Sequence, residues 1–247
     1  MNSNESRLTV DTLELIHQEA IAIAKKTMED SIPDPLFPGD LAYQKNLILV
    51  EQQIKSAMEK LLGGLEIISK ILPDLAKENP ELWTDEIQQE LMSLALGNRP
   101  IEQADEGKLP KVIFGLSEKT LTAFNSAAAY LHENKEYEQS LLAYQLLAFF
   151  DPIQPANWLG YGHSALSTNR FEEAIAAYHK VANITPDDYQ CHLFASYCYD
   201  ALGRQEEAIK SVDDALEILN KQPNNKELTE QALQLKTAYQ ESTRKAA

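Results

Sequence analysis

The side chains best suited to catalysis or metal binding are few and widely spaced along this sequence. Histidine is the usual general base and metal ligand near neutral pH. The five histidines are His17, His132, His163, His179 and His192. His163 and His192 fall on neighbouring predicted helices and can approach each other there, so a metal site is one hypothesis. The alternative is that both are ordinary histidines of the surface or of a groove. We favour this alternative and therefore predict no bound metal.

The cysteines and paired acids also lack a catalytic pattern. Cys191 and Cys198 lie seven residues apart on one predicted helix, too far along its axis for a disulfide. We interpret them as small packing residues in a reducing compartment. Glu172-Glu173 and Glu206-Glu207 each begin a predicted helix, where carboxylates favour the positive end of the dipole. The sequence has no phosphate-binding glycine loop and no HExxH, CxxC or GxSxG motif. We therefore predict no enzyme activity and no cofactor.

A stretch of 34 residues organises the rest of the chain. The segment 155–188 reads PANWLGYGHSALSTNRFEEAIAAYHKVANITPDD. Five of its positions carry a recurring pattern of residue sizes. A large residue at position 4 is Trp158, small residues at positions 8 and 20 are Gly162 and Ala174, an aromatic residue at position 24 is Tyr178, and the residue that stops the helix at position 32 is Pro186. Small residues let two antiparallel helices cross closely, and proline ends the second helix. This pattern and period are those of a tetratricopeptide repeat (TPR).

Steps of 34 residues place further repeats at about 121–154 and 189–222. A helix at about 225–243 follows, with Leu228, Ala232, Leu235 and Tyr239 facing inward, as the cap that a solenoid requires. The predicted fold class is all-α: a three-repeat TPR superhelix with a C-terminal capping helix, preceded by an N-terminal helical region. The polar, proline-broken stretch 98–111 suggests two domains, at 1–110 and 111–247.

In such a superhelix the first helix of each repeat lines a concave groove. The candidate partner-binding residues are Asn125, Ala129 and His132 in the first repeat, Leu159, His163 and Leu166 in the second, and Leu193, Tyr197 and Asp200 in the third. The leucines and the tyrosine provide apolar pockets, whereas the amide and imidazole groups can hydrogen-bond a peptide backbone. The groove therefore suits an extended or short helical segment of another protein.

The N-terminal 110 residues predict helices of their own, at 8–29, 41–72 and 85–96. The long second helix has an apolar stripe that is interrupted at Gly63-Gly64, where the glycines either kink the helix or split it into two, and Pro73 ends it. This helix either dimerises or packs within the chain. The segment 33–38, PDPLFP, is either a plain linker or an internal occupant of the groove.

The chain is acidic throughout, with 22 Lys and Arg against 38 Asp and Glu and a net charge of −16. This charge argues against binding to nucleic acid or to an anionic membrane. No apolar run approaches the roughly 20 residues that a membrane span needs. We expect no secretory signal and a cytoplasmic location, and the acidity is consistent with a protein that binds other proteins.

Residues 115–240 resemble the class II chaperones of type III secretion, the SycD/LcrH/IpgC family. The matching stretches are GLSEKTL, YEQSLLAYQLLAFFDP (137–152), WLGYGHSALSTNRFEEAIAAY (158–178), FASYCYDALGRQEEA (194–208) and ALEILNKQPNNKELTEQA (215–232). This chain departs from the family along the first groove helix. Family members usually carry aromatic residues there, whereas this chain has Asn125, Ala129 and His132. The family's Ala-Cys is His163-Ser164 here.

This resemblance implies a bacterial cytoplasmic chaperone, associated with virulence and lacking ATPase activity. Such a chaperone binds hydrophobic translocator proteins through an extended segment and keeps them soluble before export. Several members of the family dimerise through N-terminal helices, so the resemblance also implies a homodimer. The alternative hypothesis is a TPR adaptor or scaffold that joins protein partners without holdase activity. Its motivation is the N-terminal region, which is longer than the single helix usual in the family.

Overall fold

Long runs of Leu, Ala, Glu and Lys, separated by short turns, favour helices throughout this chain. A computed structural model describes residues 41–95, 109–221 and 225–246, and over these residues the protein contains helices and no strands. The α-helices are α1 (Leu41–Leu75), α2 (Asp85–Ala95), α3 (Pro110–Ile113), α4 (Glu118–Glu133), α5 (Tyr137–Phe150), α6 (Pro155–Ser167), α7 (Phe171–Ile184), α8 (Tyr189–Ala201), α9 (Gln205–Lys221) and α10 (Lys226–Ala246). A 3₁₀ helix, Pro80–Trp83, lies between α1 and α2. The predicted all-α class is confirmed.

The chain divides into two compact units, residues 1–123 and 124–247. The predicted domain boundary near residue 110 stays a prediction. The predicted helix at 8–29, the segment 33–38 and most of the stretch 98–111 lie outside the described residues. No helix among the described residues is both long and apolar enough to cross a membrane.

In the first unit, α1 runs through Gly63-Gly64 and past Pro73 to Leu75 without a break. Of the two alternatives at the glycines, the split into two helices is wrong, and so is the predicted end of the helix at Pro73. A proline removes one backbone hydrogen bond from a helix. Pro73 lies in the last turn, so little helix remains to be lost, and the Ala76 N–H still donates to the Leu72 carbonyl at 3.0 Å. Leu72 is fully buried, and this burial favours the continued helix.

The start of α2 agrees with the sequence prediction. The Thr84 hydroxyl accepts a hydrogen bond from the Ile87 N–H at 3.4 Å, as expected of an N-cap. One turn further along, the Glu90 carboxylate accepts from the Ser117 N–H at 2.9 Å, just before α4 begins. Lys119 on α4 also forms an ion pair with Glu86 at 3.1 Å. These contacts hold the first turn of α4 against α2.

In the second unit, each helix from α5 to α10 packs against the next one along the chain. The three predicted repeats correspond to the pairs α4–α5, α6–α7 and α8–α9. Each pair is joined by a turn with one residue of positive φ, namely Lys135 (63°), Asn169 (59°) and Gly203 (72°). These residues are 34 positions apart, so the backbone conformation repeats with the same period as the sequence.

The shared turn leads to a prediction about Lys135. A side chain in the left-handed region costs about 1 kcal/mol, which glycine avoids. We therefore expect Lys135→Gly to raise the unfolding free energy by about 0.5–1 kcal/mol, measured by urea denaturation. The same substitution at the exposed, mid-helical Lys210 should lower it by about 1 kcal/mol. Destabilisation by both substitutions would contradict this account of the turn.

The small positions of the repeats are buried at the helix crossings, as the pattern predicts. The buried residues at the eighth position are Ala128, Gly162 and Ser196. Those at the twentieth position are Ser140, Ala174 and Ala208. The inward face predicted for the capping helix α10 is also confirmed. Its Leu228, Ala232, Leu235 and Tyr239 pack in one cluster with the α9 residues Val212 and Leu219.

Candidate functional site

The nine predicted partner-binding residues lie on the first helices of the repeats, α4, α6 and α8, and we refer to them together as the groove face. Eight of them are partly exposed and Tyr197 is exposed. Side chains connect these helices in series. His132 on α4 lies beside His163 on α6, with ring centroids 6.5 Å apart, and His163 packs edge-on against Phe194 on α8 at 4.7 Å. The groove face is therefore continuous from the first repeat to the third.

The position of α6 is fixed by polar contacts to the turn before it. The Trp158 indole N–H donates to the Pro152 carbonyl at 2.8 Å. The Asn157 amide donates to the carbonyls of Leu147 and Asp151, both at 3.1 Å. The Leu147 carbonyl also accepts from the Asp151 N–H at 2.9 Å, so Asn157 adds a second hydrogen bond at the end of α5. These contacts join the end of the first repeat to the start of the second.

Two glycines on α6 allow close packing, one within its repeat and the other against the preceding repeat. A Cβ atom at Gly162 would lie 2.7 Å from the ring of Tyr178, the aromatic residue of the same repeat. A Cβ atom at Gly160 would lie 2.3 Å from the ring of Tyr144, the corresponding aromatic residue of the preceding repeat. Both distances are too short for a side chain. The sequence pattern predicted the role of Gly162 but missed that of Gly160, which the 34-residue spacing of the two tyrosines could have suggested.

A hydrogen-bonded chain runs inward from the groove face at His132. His132 Nδ1 lies 3.3 Å from the Ser164 hydroxyl, which donates to the Gly160 carbonyl at 2.9 Å. Ser164 also lies 3.0 Å from the Ser140 hydroxyl, whose other contact is the Ala128 carbonyl at 3.0 Å. Both serines are fully buried. With a proton on Nδ1, His132 donates to Ser164, the residue that replaces the family's Cys.

His163 has a more apolar environment than His132. Its ring lies among those of Tyr178, Phe194 and His132. Burial, and secondarily the nearby His132, lower the pKa of His163. The ring of His192 is not among these contacts, although the sequence suggested that it could approach His163. His192 Nδ1 instead lies 4.0 Å from a carboxylate oxygen of Asp214. Over the described residues, no group of three or more His, Cys, Asp or Glu side chains is arranged to hold a metal ion.

The lowered pKa of His163 predicts a dependence of stability on pH. The unfolded chain takes up the His163 proton near its ordinary pKa of 6.5, before the folded protein does. The stability from neutral His163 is therefore fully present above that pH and is lost as the pH falls through the lowered pKa. We expect His163→Gln to weaken the fall in unfolding free energy between pH 7.5 and pH 5. Identical pH profiles in urea denaturation would contradict this prediction.

Both thiols are packing groups, in agreement with the sequence interpretation. Cys191 and Cys198 are free and buried. Burial, with a smaller effect of Asp188, raises the pKa of Cys191 to about 12. Burial raises the pKa of Cys198 to about 11. A thiol is nucleophilic as the thiolate, so neither group is activated for chemistry at neutral pH.

The third repeat contributes the most polar end of the groove face. The Asp200 carboxylate accepts a hydrogen bond from the Gln205 side chain at 2.7 Å. Tyr197 lies one turn earlier on α8 and is 48% exposed. The α10 residue Tyr239 lies next to α8, with its hydroxyl 3.5 Å from that of Ser196. The capping helix therefore borders the groove face at the third repeat.

Comparisons with known proteins agree with the repeat assignment. Residues 165–239 match the family model of the tetratricopeptide repeat. The chain is also similar to the tetratricopeptide repeat-containing protein trd-1 of Caenorhabditis elegans, with 23% identity over 223 residues. That alignment covers 80% of this chain and 29% of the relative. The chain thus spans less than a third of the length of this relative.

Several solved structures are also similar to the chain. The CopN–Scc3 complex matches with 24% identity and a TM-score of 0.51, over 68% of this chain and 96% of the other. A T3SS complex from Aeromonas hydrophila matches with 19% identity and a TM-score of 0.53, over 56% of this chain and 93% of the other. The type III secretion translocator chaperone SycD of Yersinia enterocolitica matches with 23% identity and a TM-score of 0.49, over 53% of this chain and 98% of the other.

The structures with TM-scores above 0.5 show a common fold, which agrees with the repeat helices and with the family model over residues 165–239. The tetratricopeptide-repeat fold that the sequence indicated is thereby confirmed. The C-terminal half of this chain has a tetratricopeptide-repeat fold, which it shares with these solved complexes.

Proposed function

We propose that this protein is a bacterial cytoplasmic chaperone of type III secretion, which binds hydrophobic translocator-type proteins and keeps them soluble before export. It acts by binding alone, through the groove face, and without catalysis. The observation that carries the proposal is the continuous row of partly exposed residues on α4, α6 and α8. The shared fold with a T3SS complex supports this choice among the many functions of TPR proteins.

The chemistry of the groove face fits an extended apolar segment. Leu159 and Leu166 on α6 and Leu193 on α8 are half-buried, so a ligand can cover their exposed parts. Burial of apolar surface is the main favourable contribution to such binding. Asn125 and His132 on α4 offer polar atoms to the ligand backbone. A segment that follows this face meets polar groups at the first repeat and apolar groups at the second.

The N-terminal unit provides a candidate surface for self-association. Ile68 and Leu72, near the C-terminal end of α1, are fully buried, whereas Ala57, earlier on the same apolar stripe, is exposed. The apolar stripe of α1 is thus covered at Leu72 and open at Ala57. We propose that a second copy of the chain covers the open part, which would make the protein a homodimer. Packing within the chain is the competing explanation of the same stripe.

The alternative function is a TPR adaptor that joins folded partners without holdase activity. The observation that favours it is the separate first unit, residues 1–123, which provides a surface in addition to that of the repeats. The two hypotheses differ in the folding state of the bound protein. A holdase binds a segment that is unfolded or exposed before assembly, whereas an adaptor binds proteins that are already folded and soluble.

Co-expression of the full chain with hydrophobic translocator-type proteins encoded in the same genome tests the proposal. We expect at least one of them to move from the insoluble to the soluble fraction and to co-purify with the chain. Co-purification of proteins that are equally soluble without it would favour the adaptor. If no translocator-type protein gains solubility or co-purifies, the chaperone proposal is wrong.

A further inference from the structure

Asp200 is the one acidic residue among the nine of the groove face. Its side chain is partly buried, and its contact is the neutral amide of Gln205 at 2.7 Å. Among the described residues, no Lys, Arg or His forms an ion pair with Asp200. A partly buried carboxylate is stabilised best by a positive charge at short range. Asp200 therefore offers a negative charge on the groove face that a positively charged group of a ligand can pair with.

The side chain that accompanies Asp200 on this surface is aromatic. Tyr197 lies three residues earlier on α8, which places it on the same face of the helix. Its ring is 48% exposed, although large aromatic side chains usually bury more of their surface. An exposed ring beside a carboxylate can bind a cation twice, through its π face and through the ion pair. The two residues thus have complementary roles toward one positively charged group.

Tyr239 on α10 brings a second phenol to the same place. Burial is the largest cause that raises the pKa of Tyr239 to about 12, and the nearby Asp200 carboxylate and Tyr197 contribute to the same increase. Their influence agrees with a convergence of all three side chains. Tyr239 itself is buried and holds α10 against α8 through Ser196. The hydrogen bond from Gln205 already holds the Asp200 carboxylate, so little order must be gained there on binding.

The polarity of the groove face changes from one repeat to the next, and this order can be compared with the spacing of side chains in an extended ligand. The residues at the twelfth position of the three repeats are His132, Leu166 and Asp200. Neighbouring packed helices are roughly 8–10 Å apart, and an extended chain advances about 3.3 Å per residue. About three ligand residues therefore pass each repeat. An apolar side chain at Leu166 and a charged one at Asp200 would be about three residues apart in the ligand.

We propose that Tyr197 and Asp200 form a subsite that accepts a Lys or Arg side chain of the bound segment, about three residues from an apolar anchor. This inference rests on the proposed function, because it requires an extended ligand on the groove face. It adds the chemical class of the ligand: an apolar segment with a basic residue. The acidity of the chain, with a net charge of −16, favours the approach of such a segment.

A library of random twelve-residue peptides displayed on phage tests this subsite with the full chain as bait. We expect the selected peptides to be enriched in apolar residues and in Lys or Arg about three positions away. Asp200→Asn retains the acceptor for Gln205, so the fold should persist while the basic enrichment disappears. Glu206→Gln removes the same charge from an exposed position of α9 and should leave the enrichment unchanged.

A selected peptide then gives a quantitative measurement. Replacing its Lys or Arg by Gln should weaken binding to the wild-type chain about fivefold, as expected for an ion pair reinforced by an aromatic ring. The same replacement should have little effect on binding to Asp200→Asn. Tyr197→Leu, which removes the π face but retains bulk, should weaken binding of the basic peptide more than that of the Gln peptide.

The outcomes separate this inference from the proposed function. Apolar enrichment without basic enrichment, or basic enrichment that survives Asp200→Asn, overturns the subsite but leaves the groove proposal in place. Failure to select any peptide overturns both. Enrichment in acidic residues would also overturn the subsite, since it would indicate that the histidines of the groove face determine the charge preference.

Discussion

Replacing Tyr178 by alanine is expected to lower the unfolding free energy of the repeat unit by about 4 kcal/mol, because a large buried aromatic side chain would leave a cavity. Tyr178 is 1% exposed. Its ring fills the space opened by Gly162 and stacks on Phe194 with centroids 5.5 Å apart. The substitution therefore removes a contact within the second repeat and one between the second and third repeats.

Urea denaturation followed by circular dichroism measures this loss. Tyr130→Ala is the matched control, since Tyr130 is 42% exposed, and its effect should stay below about 1 kcal/mol. Tyr178→Phe gives a further test at the same position. The buried Tyr178 hydroxyl has no hydrogen-bond partner among the described residues. Its removal should leave stability unchanged or raise it by up to about 1 kcal/mol. A large loss with Tyr178→Phe would contradict this assignment.

The second large effect concerns binding to the groove face. Leu159→Gln combined with Leu193→Gln should weaken the binding of a translocator-type ligand about 100-fold, because two apolar anchors are each worth about 1.5 kcal/mol or more. Glutamine is close to leucine in size, and both positions are half-buried. The fold should therefore tolerate the change, which thermal denaturation can verify. Titration calorimetry with a purified ligand segment measures the loss.

Leu142→Gln provides the control for this double substitution. Leu142 is also half-buried, but it lies on α5, the second helix of its repeat. The corresponding residues of the next two repeats, Ala176 and Lys210, are exposed. Leu142→Gln should therefore leave ligand affinity within about twofold of the wild type, since it is outside the groove face. Equal losses from both variants would show that the Leu159 and Leu193 effect is indirect.

The repeat architecture was predictable from the sequence because its determinants recur at a fixed spacing. Gly162, Ala174 and Tyr178 satisfy the pattern at one repeat, and the 34-residue period carries the same constraints to Ala128 and Ala208. Each of these residues is buried where the pattern requires. The steric fit at a helix crossing depends on the size of the side chains. Because residue type determines side-chain size, this fit can be predicted from the sequence.

The contacts between repeats were harder to predict. The closeness of Gly160 to Tyr144 joins one repeat to another, and the repeat pattern describes positions within a repeat. The placement of Phe194 against His163 depends on side-chain rotamers, which the sequence does not specify. The positive φ of Lys135 was hidden because glycine, the usual residue in that conformation, occurs in the third repeat, at Gly203. The period could have revealed this equivalence.

The end of α1 shows where a local rule fails. Proline is a strong helix terminator, yet α1 includes Pro73 and ends at Leu75. The rule assumes that a lost hydrogen bond decides the outcome, whereas burial of Ile68 and Leu72 in the preceding turns also contributes. The groove-face residues, in contrast, were placed correctly on their helices, although ligand binding to them remains a proposal.

Site-specific photo-crosslinking in cells tests the central claim most directly. A photoreactive amino acid would replace Leu159 or Tyr197 on the groove face, or Ala176 or Lys210 on the second helices, while a translocator-type protein is co-expressed. The proposed function predicts cross-links to that protein from Leu159 and Tyr197 and none from Ala176 and Lys210. Cross-links from Ala176 and Lys210, with none from the groove face, would contradict it.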